Sequence, residues 1–424
     1  MSAIPLIDEQ VVEQDHLIMP GALADKMAGD RPEFSRLSKG ERRFRVFSAH
    51  AGFEILSTID RVGDFCAEPN IFFTPRFCVP AMPRLDDRQV RLMVLQDNDD
   101  KHSETRFLMP FTVEKPGFAI GPDIVRSWAN HYGPFGMPLI ERREASQIIE
   151  DLLSTIAMPG INLPKIIAFP EVLKDSAVVS LIRAIALSNG LPMSMTKPTH
   201  RPVLDATKDA DAYFKEGLGG HHRRDVGRLW RKLAQHGDLR YDIARSPDDI
   251  RIQMEEFLLL ENAGWKGRQR SSLASDRYRS AFAREAINSL AEVDKCRIHT
   301  ISLDNKVIAS LVVLLEGGTA WTWKTTFDED WRSYSPGKLL MVRATESLLD
   351  DPNITFADSC ASQDHSLMGH LWQERREMVT LVIGLDITKD REVRQAAAQM
   401  DLYSSTKETA KKVQTRLKTL IRKF

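Results

Sequence analysis

Four cysteines in 424 residues, Cys66, Cys78, Cys296 and Cys360, stand far apart with no CxxC pair among them. That spacing excludes a zinc knuckle and a disulfide framework and fits a reducing compartment. Net charge is equally scarce: 58 basic and 59 acidic residues leave a formal charge of -1, so attraction to nucleic acid or an anionic membrane must come from local clusters. Long apolar runs are missing as well. The longest, Val307 to Leu315, is interrupted by Ser310 and falls well short of the roughly 20 residues a spanning helix needs. The opening residues, MSAIPLIDEQVVEQDH, carry acids where a signal peptide is apolar, so secretion is not expected and a cytoplasmic protein is. No metal site is expected either, because the His221-His222 pair has no acidic or cysteine neighbour at ligand spacing.

What is present is the composition of an ordinary folded protein, 42% hydrophobic and 28% charged. At this length one core is usually outgrown, and two domains are expected. Residues 1–40, with the turn-rich MPGALADKMAGDRPEF, read as a mobile leader. From there to about Asp205 strand and helix signals alternate: strands in FRVF, VRLMVL and ETRFLMPFTVEK, a helix in EASQIIEDLLSTIA, a strand in KIIAF and a helix in AVVSLIRAIALSNG. This gives a first α/β domain over 41–205.

The second domain, 206–400, opens with a long basic helix from Tyr213 to Gln235. Strand LRYDIA follows, then a helix capped by Ser246-Pro247-Asp248 and a further helix over Arg277 to Leu290. Three β runs come next, CRIHTISL, VIASLVVLL and TAWTWKTTF, joined at Asp304-Asn305 and Gly317-Gly318 as an antiparallel meander. A helix started by Pro336 runs to Leu349, and strand ITFAD, a helical stretch near His370 and strand MVTLVIGLDI complete the domain. Residues 401–424 form a basic tail. From Lys407 onward seven basic residues face Glu408, and Val413, Leu417, Leu420, Ile421 and Phe424 line one stripe. Such a helix either docks on its own domain or lies on an anionic membrane.

Four blocks carry a family resemblance: HHRRDVGRLWRKLAQHGDLRY, ENAGWKG, LDNKVIASLVVLLEGGTAWTWKTTFDEDWRSYSPGKLL and FADSCASQDHSLMGHLWQERREM, spanning His221 to Met378. In this order they resemble the branch of the GNAT acyltransferase superfamily associated with cellulose biosynthesis, the CelD-type acetyltransferases. The first half, through NIFFTPRF and GPFGMPLI, resembles a degenerate copy. The resemblance implies an α/β fold of two tandem GNAT-like mixed-sheet domains, the C-terminal one more complete. It also implies an acyl-CoA-dependent N- or O-acyltransferase with acetyl-CoA or another acyl-CoA as co-substrate. The acceptor would be a small molecule or a saccharide, with polysaccharide biosynthesis as a setting.

A CoA pyrophosphate calls for backbone N–H groups at a helix N-terminus. Ser335, Pro336, Gly337 and Lys338 offer that turn, although they depart from the superfamily's usual Gln/Arg-x-x-Gly-x-Gly/Ala loop. A plain proline-started helix is the other reading. A P-loop is excluded by spelling, since Arg332 stands where it needs glycine and Leu339 where it needs Ser or Thr. Lys324, mid-strand among apolar residues, is expected to meet an anionic ligand or a carboxylate such as Asp358, unless it faces solvent. The oxyanion donor implied by the resemblance is backbone near Trp323 to Thr325.

For proton transfer the candidates are His365, Asp358 and Glu261, each at an element end bordering the expected cleft; a surface histidine and a capping aspartate are the structural alternatives. Trp265 and Lys266 are expected at the acceptor, or in a C-capping turn with a buried tryptophan. Trp372 and Arg375 line the cleft or close the core. Arg224, Arg228 and Arg231 share a helix face, with Arg223 and Lys232 beside them, as a solvated face or a site for acidic groups. Nucleic acid is not the expected partner, although the related Fem-type transferases use aminoacyl-tRNA. A Fem-type transferase and a non-catalytic accessory protein, held at a membrane through 407–424, are the alternatives to acyl-CoA transfer.

Overall fold

The computed structural model describes residues 31–86, 89–98, 103–217, 220–362 and 365–421. Most of the expected leader therefore lies outside the described residues. Its end does not: Phe34–Leu37 forms strand β1 and pairs antiparallel with β2, Arg43–Ser48, so the first domain begins before residue 40.

The first half continues with β3 (Arg91–Gln96), β4 (Thr105–Glu114), β5 (Ile124–Ser127), the short β6 (Leu139–Ile140), β7 (Ile166–Leu173), β8 (Met193–Met195) and β9 (Thr199–Asp205). Its helices are α1 (Pro75–Leu85), α2 (Ala145–Ala157) and α3 (Ala177–Ser188). The expected strands and the two later helices are all there. Helix α1 was not foreseen, because Pro80 and Pro83 lie inside it and interior proline removes helical hydrogen bonds. Burial outweighs that cost: Phe77, Cys78, Val79, Ala81 and Met82 are all sequestered on its packed face.

In the second half the stretch expected as a long basic helix is helical where it is described, over Ala210–Gly217 (α4) and Gly220–Leu233 (α5). Residues 218–219, between these two stretches, lie outside the described residues. Then come β10 (Leu239–Ala244), α6 (Pro247–Ala263), α7 (Arg277–Ala291), and the meander β11 (Cys296–Leu303), β12 (Lys306–Glu316) and β13 (Thr319–Phe327). Helix α8 (Pro336–Leu349), β14 (Phe356–Asp358), α9 (Ser366–Leu371), β15 (Glu374–Gly384) and α10 (Asp390–Ile421) complete the chain. Ser246 caps α6 by accepting the Asp249 N–H, with Pro247 in the first turn as expected.

All these strands join one mixed sheet, in the order β1-β2-β3-β4-β5-β7-β15-β9-β14-β13-β12-β11-β10, with β6 on β4 and β8 on β15. The expected mixed-sheet α/β architecture is the one observed. The seam is not a simple cut at residue 205, however. Strand β15, from the second half, lies between β7 and β9 of the first, and β9 in turn pairs β14. Two apolar layers follow from this. One runs from β2–β4 under α1 and on beneath α6 and α7; the other packs α5, α8 and α9 on the opposite face of the meander.

The expected cleft positions of Trp372 and Arg375 are corrected here. Trp372 is fully buried and donates its Nε1–H to Thr345 Oγ1 at 3.0 Å; the indole closes the core under α8. Arg375 donates to the carbonyls of Trp372, Glu374 and Gly369, which ties off the end of α9. The tail helix begins well before residue 401. Val393, Ala396 and Ala397 pack on Ile124, Ile166 and Val382, so its first turns dock on the protein, while most side chains from Lys411 onward lie outside the described residues.

Two outcomes follow. A fragment ending at Asp205 leaves β7 and β9 without β15, and should show no cooperative thermal unfolding by circular dichroism until the remainder of the chain is co-expressed. Trp372→Ala should cost about 3–5 kcal/mol in chemical denaturation, as expected for a large aromatic removed from a core.

Candidate active site

The site begins with a register shift. On β12 Val312 faces Lys324 and Val313 faces Thr322, so Trp323 is an extra residue on β13, a β-bulge of the kind that re-aims side chains. Regular alternation would put Lys324 on the face of Ala320 and Thr322, toward α8. The bulge instead places it with Val312, whose face packs under α6, α7 and α1. Phe77 of α1 and Phe282 of α7 hold Trp323 edge-on, with ring centroids 5.8 and 6.1 Å away, and Trp323 Nε1–H donates to the Tyr132 carbonyl at 2.6 Å.

Just before the bulge the neighbouring strand turns off. Strand β14 pairs β13 in parallel only over Thr319–Trp321. Asp358 then accepts the Cys360 N–H at 2.7 Å, and Cys360 itself adopts a left-handed backbone, φ 51°. From Thr322 to Phe327 one edge of β13 therefore borders a cleft of about 1130 Å³ rather than a strand. At Thr325 the carbonyl accepts from Lys266 Nζ at 3.0 Å.

The cleft has a wall from each half: the Asn130–His131 loop, Glu171 and Thr199–Arg201 from the first, and Glu261, Trp265, Lys266, β13 and the Ser335 turn from the second. Lys266 Nζ also donates to Glu261 Oε1 at 2.8 Å, and the buried Glu261 takes the Leu273 N–H on its other oxygen at 2.8 Å. The tight turn that brings Lys266 there depends on Gly267, where an added Cβ would sit 1.8 Å from the Asn262 carbonyl oxygen. Trp265 is 45% exposed at the rim, not the buried tryptophan of a simple capping turn.

At the opposite end, Ser335 sits in the left-handed region with Pro336 following at the first position of α8. The Lys338 and Leu339 N–H groups both return to the Ser335 carbonyl, and Pro336 has no N–H. Gly337 therefore supplies the amide left for a ligand, fewer than the several amides expected from the sequence. Lys338 is held by Asp225 at 3.2 Å, and both residues border the cleft end of the α8 dipole.

Placement of the other expected residues is mixed. His365 lines the cleft at the N-terminus of α9, where its Nδ1 accepts the Met368 N–H at 3.3 Å. Asp358 lies behind the wall, buried, with Oδ2 3.5 Å from Arg201 Nη1. The expected pairing of Lys324 with Asp358 is thus not made; Arg201, which also donates to Glu171 at 2.7 Å, takes that carboxylate. Lys324 Nζ instead lies 4.6 Å above the Tyr132 ring. Burial first, and then the Lys266 charge, push its pKa down to about 8. Burial and the cations Lys324, Lys266, Lys407 and Arg279 likewise push His131 down to about 4. No metal-capable cluster occurs among the described residues, nor does any helix long and apolar enough to cross a membrane.

Arg201, Glu171, His131 and Tyr132 were not foreseen, because their partners are remote in sequence. The one local signal was Arg201 directly before the apolar run Pro202-Val203-Leu204 of its strand. On the α5 face, Arg228 pairs with Asp225 and Arg343 covers the Trp230 ring; the side chains of residues 217–223, including Arg223 and the His221-His222 pair, lie outside the described residues.

Residues 220–365 match the family model described as Acetyltransferase (GNAT) domain. Among curated proteins none matches. The C-terminal domain of a putative lysylphosphatidylglycerol synthetase from Agrobacterium fabrum is similar in fold at 11% identity, with 83% of this chain and 96% of that one covered and a TM-score of 0.50. FemX is similar at 10% identity, 76% and 95% coverage, and a TM-score of 0.50. A tandem GNAT protein from the clavulanic acid biosynthesis pathway aligns at 12% identity, 82% and 99% coverage, and a TM-score of 0.40. At such identities the likeness is one of fold.

Lys324 makes a stability prediction whose sign is set. The unfolded lysine titrates at 10.5 and the folded one at about 8, so the native state binds fewer protons between these values and stability rises with pH across them. Lys324→Met should therefore be more stable than the parent at pH 7, by on the order of 1–3 kcal/mol. In urea titrations that advantage should shrink as pH rises from about 8 to 10.5.

Proposed function

We propose that this protein is an acyl-CoA-dependent acyltransferase that moves an acyl group, acetyl in the simplest case, onto an amine or hydroxyl of a small-molecule or saccharide acceptor. The observation that carries the reading is the combination of the β13–β14 gap with the α8 N-terminus at its end, within a stretch that matches a GNAT domain. CoA phosphates meet the Gly337 N–H, the α8 dipole and the Lys338 ammonium, a fit of donors to anion. The thioester arm lies along the open edge of β13, where it displaces Lys266 from the Thr325 carbonyl, and backbone of that edge faces the developing oxyanion.

Glu261 is the proton acceptor in this proposal. The acceptor nucleophile attacks the thioester carbonyl, the tetrahedral intermediate expels the thiolate, and Glu261 takes the nucleophile's proton while Lys266, freed from Thr325, stays paired to it. Arg201 and Asp358 position the wall behind the gap and do not touch the reacting atoms. His365 and Trp265, which both line the cleft, are assigned to acceptor orientation. The setting in polysaccharide synthesis, and contact of 407–424 with an anionic membrane surface, belong to the same proposal and rest on the sequence.

Titration calorimetry with acetyl-CoA and longer acyl-CoAs tests the reading. Binding is expected for the parent, and Gly337→Asp should weaken it by about 10–100-fold, since a carboxylate beside the phosphates opposes them while a helix N-terminus tolerates Asp well. A folded protein that gives no heat with any acyl-CoA, and instead binds charged tRNA in a salt-sensitive way, would replace this reading with aminoacyl transfer. Glu261→Gln should lower kcat by about 10²-fold or more with little change in KM.

A further inference from the structure

Resting on the acyl-transfer reading, we propose that the part of the cleft around Lys324 is the acceptor subsite, and that it selects acceptors carrying an anionic group, a carboxylate or a phosphate, close to the nucleophile. Three observations carry it.

The first is direction. The bulge at Trp323 turns Lys324 to the face of the sheet that holds Val312, Trp323 and Phe282, whereas Thr322 and Phe327 go with the face under α8, where Phe327 packs on Gly337. The ammonium and the phosphate turn thus lie on opposite faces of the same strand. A donor threaded through the gap from the α8 side presents its thioester to whatever occupies the Lys324 side.

The second is an uncompensated charge. Lys324 makes no ion pair and no hydrogen bond among the described residues; its Nζ has only the rings of Tyr132 at 4.6 Å and Trp323 at 6.0 Å. The carboxylates that could answer it are engaged. Glu261 serves Lys266 and the Leu273 N–H, and Asp358 and Glu171 serve Arg201. A cation taken out of water without a partner is costly, and a chain that keeps one beside a cleft is completed by an anion from outside.

The third is the surrounding field. Lys266 and Arg279 add positive charge at Lys324, against Glu261, and Lys407 adds to it at the neighbouring His131. The Tyr132 and Trp323 rings cover one side of the ammonium and leave its cleft side to a compact anion. Held there, the anion fixes the acceptor so that an amine or hydroxyl a few bonds away reaches the thioester at the β13 edge. An uncharged acceptor of the same shape leaves Lys324 unpaired, which is the basis of discrimination.

Reductive methylation with formaldehyde and a borohydride at a pH near 8 tests this, because the reagent modifies the neutral amine and an adjacent anion keeps Lys324 protonated. The Lys324 peptide is read by mass spectrometry in the full-length protein. Malonate or inorganic phosphate, with acetyl-CoA also present, should slow its modification by about fivefold, the loss of neutral amine at pH 8 when a pKa of about 8 rises by roughly one unit. Neutral malonamide and matched chloride should not. Lys324→Met should lose the thermal stabilisation given by malonate or phosphate and bind acetyl-CoA within about threefold of the parent, whereas Lys324→Arg should keep both.

If acetyl-CoA alone gives the full protection and Lys324→Met loses acetyl-CoA binding, Lys324 belongs to the cofactor and the proposal is overturned. If neither anion protects Lys324 while acetyl-CoA binds normally, the anion subsite is overturned and the acyl-transfer reading stands. If acetyl-CoA does not bind at all, the acyl-transfer reading fails. Protection by malonate or phosphate, measured without the cofactor, then decides the anion subsite alone: protection upholds it and its absence removes it.

Discussion

The parting of β13 from β14 is the constraint on which the rest of the molecule depends. A sheet normally satisfies each strand edge with the next strand, yet here β13 has a β partner on that side only over Thr319–Trp321. Two local devices open the gap. The bulge at Trp323 bends one strand, and the Asp358 turn with left-handed Cys360 ends the other. Neither would persist in a compliant setting, because sheet edges tend to pair. The clamp of Phe77, Phe282 and the Tyr132 carbonyl on Trp323 holds the bulge, and Arg201 holds Asp358.

That dependence ties the two halves together. Tyr132, Arg201 and Phe77 come from the first half, and the strand they shape comes from the second. The exchange of β15 into the first half and of β9 toward β14 makes the sheet continuous across the seam. A cleft cut into the middle of a sheet weakens it, and burial on both faces offsets the loss. The first half thus acts as one wall of the cleft rather than as an independent module.

Strands and helices of the second half were legible because local rules agree there. The Asp304-Asn305 and Gly317-Gly318 pairs all take positive φ, as tight hairpins require, and Ser246-Pro247 and Pro336 start their helices where capping chemistry puts them. Legibility failed where tertiary burial overrode local preference, as in the proline-containing α1. In the site, Lys324, Lys266, Glu261 and the Ser335 turn were readable as chemistry-bearing residues in strand or helix-end positions. Asp358, Trp372 and Arg375 were readable as polar or aromatic residues near the same place, but nothing local distinguishes a cleft wall from the layer behind it.

By itself the sequence determined the element order, the meander, the proline-started helix and the absence of metal-binding and membrane-spanning patterns, since these follow from periodicity, turn residues and composition over short windows. Only the tertiary structure decided that Lys324 goes unpaired while Arg201 takes Asp358, that one amide at Gly337 remains free, and that the cleft has walls from both halves. Those outcomes depend on a one-residue register shift and on contacts between segments more than a hundred residues apart, and side-chain direction in a strand reverses with each residue of slip.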